Sequence, residues 1–192
     1  MTDAGTTVAH QCALERLEET LWVIQARSGD AGAFAHLLAL HERALFYYLR
    51  RFIRQPDAAL DAYQEVWLDA FRGLRHLRTP EAFRSWLYRI AHDKAMRFVR
   101  REMRDEQFTE PLNEGHEAAS ENDDADHDAE AIHRALERLP PLQREVITLH
   151  YLRDLTLEEM AEVTGCPAGT IKSRLYHGRI ALRRILERNR HE

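Results

Sequence analysis

The 192-residue sequence predicts an all-α fold, with two small helical domains joined by a flexible acidic linker, and three observations carry that expectation. Apolar residues recur at three- and four-residue steps through most of the chain, the spacing of a buried stripe on an amphipathic helix. No stretch alternates apolar and polar residues between Gly-Asx turns as strands do, and no repeat of about 20–50 residues is visible. Charge is also sorted along the chain: Asp105 to Glu130 holds eleven acidic residues and no Lys or Arg.

Composition narrows the class further. With 44% hydrophobic and 31% charged residues the chain is neither collagenous nor wholly disordered. No apolar run approaches the roughly 18 residues of a membrane span. The first ten residues, MTDAGTTVAH, lack the basic start and apolar core of a signal peptide, so a cytoplasmic protein is expected. The two cysteines, Cys12 and Cys166, and eleven scattered histidines show no metal-ligand spacing. No cofactor or metal is expected, and an enzyme is not the expected class. The net charge of −5 argues against nucleic acid only until it is divided. Residues 20–104 carry fifteen basic and nine acidic residues, and residues 131–192 eleven and eight, so both helical blocks are basic.

The first helix of the first block follows from Ala33, Phe34, Leu37, Leu38, Leu40, His41, Leu45, Tyr48 and Leu49, and Gln55-Pro56-Asp57 ends it. A second runs from about Asp57 to Leu74 on Tyr63, Val66, Trp67, Ala70, Phe71 and Leu74. Thr79-Pro80-Glu81 supplies a cap residue and a proline at the first helical position, so a third helix begins near Pro80 and reaches about Arg104. Phe83, Leu87, Ile90, Ala91, Ala95 and Phe98 form its apolar face. Upstream, Leu14, Leu17, Leu21 and Trp22 form a short helix able to close this bundle. The segment 105–130, with Pro111, Asn113, Gly115 and little apolar content, reads as the linker.

In the second block Leu136, Leu139, Leu142, Val146, Ile147, Leu149 and Leu152 mark two helices interrupted at Pro140-Pro141. Thr156-Leu-Glu-Glu159 has capping-box spacing, Gly165 suits a helix stop, and Pro167 favours a new start. Ile171, Leu175, Gly178, Leu182 and Leu186 then share one face. Ala161, Gly165 and Ile171 stand at helix-turn-helix spacing, and the helix after the turn offers Thr170, Lys172, Ser173, Arg174, His177 and Arg179 to a major groove. Gly165 to Arg190 contains seven basic residues and one acidic. Cys166 reads as a small residue of the turn.

Two further faces carry chemistry. Phe71 to Arg104 contains ten basic and three acidic residues; Arg89, Asp93, Arg97, Arg100 and Arg104 follow helical steps and form a stripe suited to phosphates. Phe83, Trp86 and Tyr88 are interleaved at its start, where a ring can stack an unpaired base. Phe83 is expected in the core, while Trp86 and Tyr88 are open between core and DNA. Asp61, Glu65 and Asp69, spaced by four with Gln64 beside them, make an acidic helix face suited to a basic or polar protein surface, or simply to solvent.

These residues resemble the bacterial RNA polymerase sigma factors of the small extracytoplasmic-function group within the sigma-70 family. Asp30-Ala-Gly-Ala-Phe34 with the helix to Phe52, Asp61-Ala-Tyr-Gln-Glu-Val-Trp67, and Phe83-Arg-Ser-Trp-Leu-Tyr-Arg-Ile-Ala91 are similar to region 2. Pro140 to Leu186, with Gly169-Thr-Ile-Lys-Ser-Arg174, is similar to region 4; that last motif is also similar to LuxR-type regulators. The resemblance implies an N-terminal extension over 1–22, region 2 over 23–104, the linker over 105–130 and region 4 over 131–192. It implies that Asp61, Gln64, Glu65 and Trp67 dock on core polymerase. The loop from Arg75 to Ala82 and the helix after it would capture an extruded base of the −10 element, with Arg78, Arg84, Trp86, Tyr88, Arg89, Lys94, Arg97, Arg100 and Arg101 near −10 DNA. Thr170, Lys172, Ser173, Arg174, His177 and Arg179 would read the −35 element. The linker would thread through the polymerase. Implied partners are core RNA polymerase, promoter DNA and an anti-sigma factor, with a chain that is monomeric when free. Asp93 stands where the family usually shows Asn. The competing reading is a stand-alone helix-turn-helix regulator.

Overall fold

The computed structural model describes residues 4–106, 132 and 134–189. They form seven longer helices: α1 (Ala4–Arg27), α2 (Ala31–Arg50), α3 (Pro56–Gly73), α4 (Phe83–Glu106), α5 (Pro141–Arg153), α6 (Leu157–Thr164) and α7 (Ala168–Asn189). Two 3-10 turns, Leu74–His76 and Pro80–Ala82, join α3 to α4. No strand occurs among the described residues. The expected linker beyond Glu106 lies outside them. The chain divides into two units, Met1–Ala95 and Met96–Glu192.

In the first unit the starts of α2 and α3 have local causes. Asp30 stands at the N-cap of α2, and its carboxylate accepts from the backbone N–H of Gly32 at 2.8 Å and of Ala33 at 3.1 Å. Pro56 opens α3, where its missing N–H costs nothing. Thr79 occupies the cap position before Pro80 but makes no side-chain cap bond, and the chain takes one 3-10 turn before α4 begins at Phe83. α2 stops at Arg50, short of the proline expected to end it.

The core of this unit is made by Val23 of α1, Leu37, Leu45, Tyr48 and Leu49 of α2, Val66, Trp67 and Ala70 of α3, and Phe83, Leu87, Tyr88 and Ala91 of α4. α1 is longer than expected and runs without a break across residue 22. Its stripe is also the wrong one for closure: Leu14, Leu17 and Leu21 are exposed, while Glu19 and Val23 face inward. A rotation of about 100° per residue separates those two faces. Leu40 and Phe71, placed by their spacing on apolar faces, are exposed as well.

The second unit takes in the C-terminal turns of α4 from Met96, a helical stretch at 134–137 and the three helices α5 to α7. Its core includes Leu136, Leu139, Val146, Leu149, Leu155, Met160, Val163, Ile171 and Leu175; Leu142 is exposed instead. Asp154 ends α5 in the left-handed region. α6 carries the full capping box: Thr156 Oγ1 accepts from the N–H of Glu159 at 3.1 Å, and the N–H of Thr156 donates to Glu159 Oε2 at 2.7 Å. Gly165 ends α6 at φ +66°, a conformation that favours a residue without Cβ. Replacing Thr156 with alanine is expected to cost about 1 kcal/mol, read as an earlier urea-unfolding transition of the second unit within the full chain.

Candidate nucleic-acid and protein interfaces

The acidic face of α3 is present, and it is more apolar than its sequence spacing suggests. Asp61, Gln64 and Glu65 are exposed, and beside them Leu60, Leu68 and Phe71 are 46%, 52% and 64% exposed. Successive steps of three and four residues bring these six onto one broad side of the helix. A face of this kind suits a partner that buries leucine and aromatic groups while pairing basic groups with carboxylates. Trp67 does not belong to it. At 6% exposure its ring sits in the core, edge-on to Phe34 with centroids 5.7 Å apart, which corrects its expected docking role. Of the three exposed apolar residues, Phe71 reads as core from its helical spacing, while Leu60 and Leu68 lie off that apolar stripe, on the side of the carboxylates.

The carboxylates of this face also hold α4. Lys94 Nζ lies 2.8 Å from Glu65 Oε2 and 2.9 Å from Asp69 Oδ2. Partial burial opposes the ammonium charge, but bonds to the two carboxylates outweigh it and raise its pKa above the usual lysine value. The structure thus joins a residue expected at DNA to two from the acidic face.

On α4 the expected DNA residues separate into an exposed stripe and a buried set. Arg89, Arg97, Arg100 and Arg101 are exposed, as is Asp93 between them. Trp86, half-buried, stands one step before Arg89 on the same side of the helix. It packs over the C-terminal end of α3, where a Cβ at Gly73 would come within 2.9 Å of its ring, so only glycine admits this placement without a shift. Arg78 is exposed in the preceding loop. Tyr88 is 1% exposed and edge-on to Tyr48 at 5.3 Å, so its ring is core and not a base-stacking surface.

Arg84 is likewise drawn inward. Its Nε donates to Glu19 Oε2, and with 11% of its side chain exposed it is not available as a free phosphate contact. His41, fully buried, meets the other oxygen, Glu19 Oε1, at 2.8 Å. An ionised carboxylate only accepts, so His41 Nε2 carries the hydrogen. Burial alone would raise the Glu19 pKa, but the bonds and charges of His41 and Arg84 outweigh it and hold the carboxyl below its ordinary value of 4.5. A depressed carboxyl pKa stabilises the fold above the unfolded value and loses that contribution as pH falls through the folded one. Acid unfolding of the first unit below pH 4.5 is therefore expected to be steeper in the native chain than in Glu19→Gln.

The helix after the turn, α7, buries Ile171, Leu175 and Gly178 and turns its other sides outward. Thr170, Ser173 and His177 are exposed and share one strip with the half-buried Arg174. Arg174 Nη1 donates to Cys166 Sγ at 3.3 Å, which ties its guanidinium to the turn. Lys172 and Arg179 are exposed on the adjoining strip together with Tyr176, which is 62% exposed and was not anticipated. Steps of four and three from Lys172 lead to Tyr176 and Arg179, a signal available in the sequence. Arg179 is also tied to α5: its Nη2 is 2.9 Å from His150 Nε2, and its guanidinium stands 5.5 Å from the Tyr151 ring centre.

Two family descriptions match the chain in order: sigma-70 region 2 over residues 37–105, and sigma-70 region 4 over residues 129–182. RNA polymerase sigma factor SigV of Bacillus subtilis strain 168 is 32% identical over 140 residues, covering 71% of this chain and 80% of that protein. The ECF RNA polymerase sigma-E factor of Escherichia coli strain K12 is 30% identical over 184 residues, covering 88% and 94%.

The chain belongs to the extracytoplasmic-function group of sigma-70 family sigma factors. Its fold agrees with that membership. The sigma factor RpoE of Bartonella quintana, solved with the anti-sigma factor NepR, superposes with a TM-score of 0.71 at 25% identity, covering 80% of this sigma factor and 96% of that one. Region 2 of this sigma factor thus takes in α3, α4 and most of α2, and region 4 takes in the helix-turn-helix of α6 and α7. No described helix is long and apolar enough to cross a membrane.

Proposed function

We propose that this sigma factor binds core RNA polymerase through the exposed face of α3, reads and helps to melt the −10 element with the loop before α4 and the exposed side of α4, and reads the −35 element with α7. The observation that carries the reading is that one chain holds both family regions in order, each presenting an exposed face of suitable chemistry. Region 2 would occupy 23–104 and region 4 131–192, with 105–130 threading through the polymerase as an acidic tether. Asp61, Gln64 and Glu65 would dock on the enzyme. Arg78, Trp86, Arg89, Arg97, Arg100 and Arg101 would meet −10 DNA, and Thr170, Lys172, Ser173, Arg174, His177 and Arg179 the −35 duplex. The protein would act in the cytoplasm, catalyse no reaction itself, remain monomeric when free and be held inactive by an anti-sigma factor, the kind of partner with which its Bartonella relative was solved.

Selection of DNA from a random pool by holoenzyme reconstituted with the full chain tests this. The expected product is a pair of motifs at fixed separation; a single palindromic motif recovered equally well by the chain alone would favour a stand-alone regulator. On the selected DNA, Arg174→Ala is expected to weaken −35 binding by about 1–3 kcal/mol and relax preference at one base pair. A loss that is uniform across sequences would make it a phosphate contact.

A further inference from the structure

Glu19 lies outside both matched regions, yet it is the point where three helices of the first unit meet. Its carboxylate is 4% exposed and is shared between His41 of α2 and Arg84 of α4, one oxygen to each. A carboxylate this buried is tolerated only when its lone pairs are met by charged or hydrogen-bonded partners, and removing one partner leaves a buried charge behind. The cluster is therefore costly to break. It is also placed next to the loop proposed to capture the −10 base. α1 packs on both 3-10 turns of that loop, and Arg84 is the second residue of α4.

Between α1 and the second turn there is a cleft of about 430 Å³, lined by Arg16, Leu17, Glu19 and Thr20 on one side and by Pro80, Glu81, Phe83 and Arg84 on the other. Glu19 on one wall and Arg84 on the other pair with each other, so the ionic cluster bridges the two. From it a path of ring contacts leads outward. His41 is edge-on to Phe83 at 5.5 Å, and Phe83 lies 6.0 Å from Trp86, the half-buried ring at the head of the basic stripe.

We propose that Glu19 is a positioning residue for −10 recognition: through Arg84 and His41 it fixes the turn at Pro80–Ala82 and the first turn of α4, so that the loop and Trp86 are held ready for an unpaired base. The proposal rests on the −10 role assigned above. It gives α1 a function beyond closing the bundle, and it gives Arg84 an indirect part in DNA recognition in place of a direct phosphate contact.

Because Glu19→Ala could simply unfold the unit, the test uses Glu19→Gln, which keeps the side chain's size and removes its charge, and Glu19→Gln/Arg84→Gln, which removes both charges of the pair. Amide exchange is measured on the free full-length chain. In Glu19→Gln the amides of residues 74–85 are expected to exchange about tenfold faster while those of α3 are unchanged, and the double variant recovers at least part of that protection. Holoenzyme is then assembled with each variant and tested on single-stranded non-template DNA carrying the selected −10 sequence or a scrambled one. Core binding and −35 duplex binding are expected to stay within about twofold, while the preference for the selected −10 strand falls about tenfold. Unchanged exchange, or acceleration spread evenly over the first unit, would overturn the positioning role. So would an unchanged −10 preference. A native chain that fails to bind core at all would overturn the functional reading and with it the link to −10 DNA, whereas the exchange measurement alone judges whether Glu19 fixes the turn.

Discussion

Replacing Glu65 with lysine is expected to weaken binding to core polymerase by about 2 kcal/mol or more, some thirtyfold, because a charge facing the enzyme's basic groups is reversed as well as removed. Glu65 is 60% exposed in the free chain and becomes covered only in the complex proposed here. The substitution also removes one of the two carboxylates that hold Lys94, so a loss of binding could be blamed on α4 coming loose. Lys94→Met separates the two explanations. It breaks the same pairs from the other side while leaving the acidic face intact, and it is expected to leave core binding within about threefold, the scale of a surface ion pair. Titrating labelled core with the two variants checks both. Equal losses in the two would mean that the Lys94 bridge, and not the acidic face, supports docking.

The largest effect on stability is expected at Tyr88. Its ring is 1% exposed against Tyr48, and truncation to alanine leaves a cavity the size of an aromatic side chain, at a cost of about 3–5 kcal/mol. Urea unfolding of the full chain should show the first unit melting early while the second is unaffected. Tyr88→Phe keeps the ring, and −10 preference should survive it. A Tyr88→Phe chain that folds normally but loses −10 discrimination would return this residue to the DNA surface.

Tyr88 and Trp86 show where the sequence stopped being informative. Both lie in one aromatic and basic stretch, two residues apart, and in a helix that spacing turns them about 200° from each other. Which of the two faces inward depends on where α2 and α3 pack, and no local pattern contains that. The same limit applies to Trp67 and Phe71. Each fits an apolar stripe; one is buried and the other is 64% exposed beside Leu60 and Leu68, because α3 presents a sticky side as well as a core side. Features with a local cause were legible. The capping box at Thr156 and Glu159 and the stop at Gly165 depend on a few neighbouring residues and are found where the spacing put them, and α3 starts at Pro56, one residue before the Asp57 expected. The helix-turn-helix was legible for the same reason. Glu19, His41 and Arg84 were not, since the residues that meet there are 22 and 65 positions apart and Glu19 lies in a stretch that resembles nothing in the family's motifs.

The functional reading turns on whether the chain joins the polymerase. Purified full-length protein mixed with core RNA polymerase and passed over a gel-filtration column should co-elute, and the isolated complex should start run-off transcripts from the DNA that the holoenzyme selects and not from scrambled DNA. A chain that elutes apart from core while binding duplex DNA tightly by itself would contradict the account.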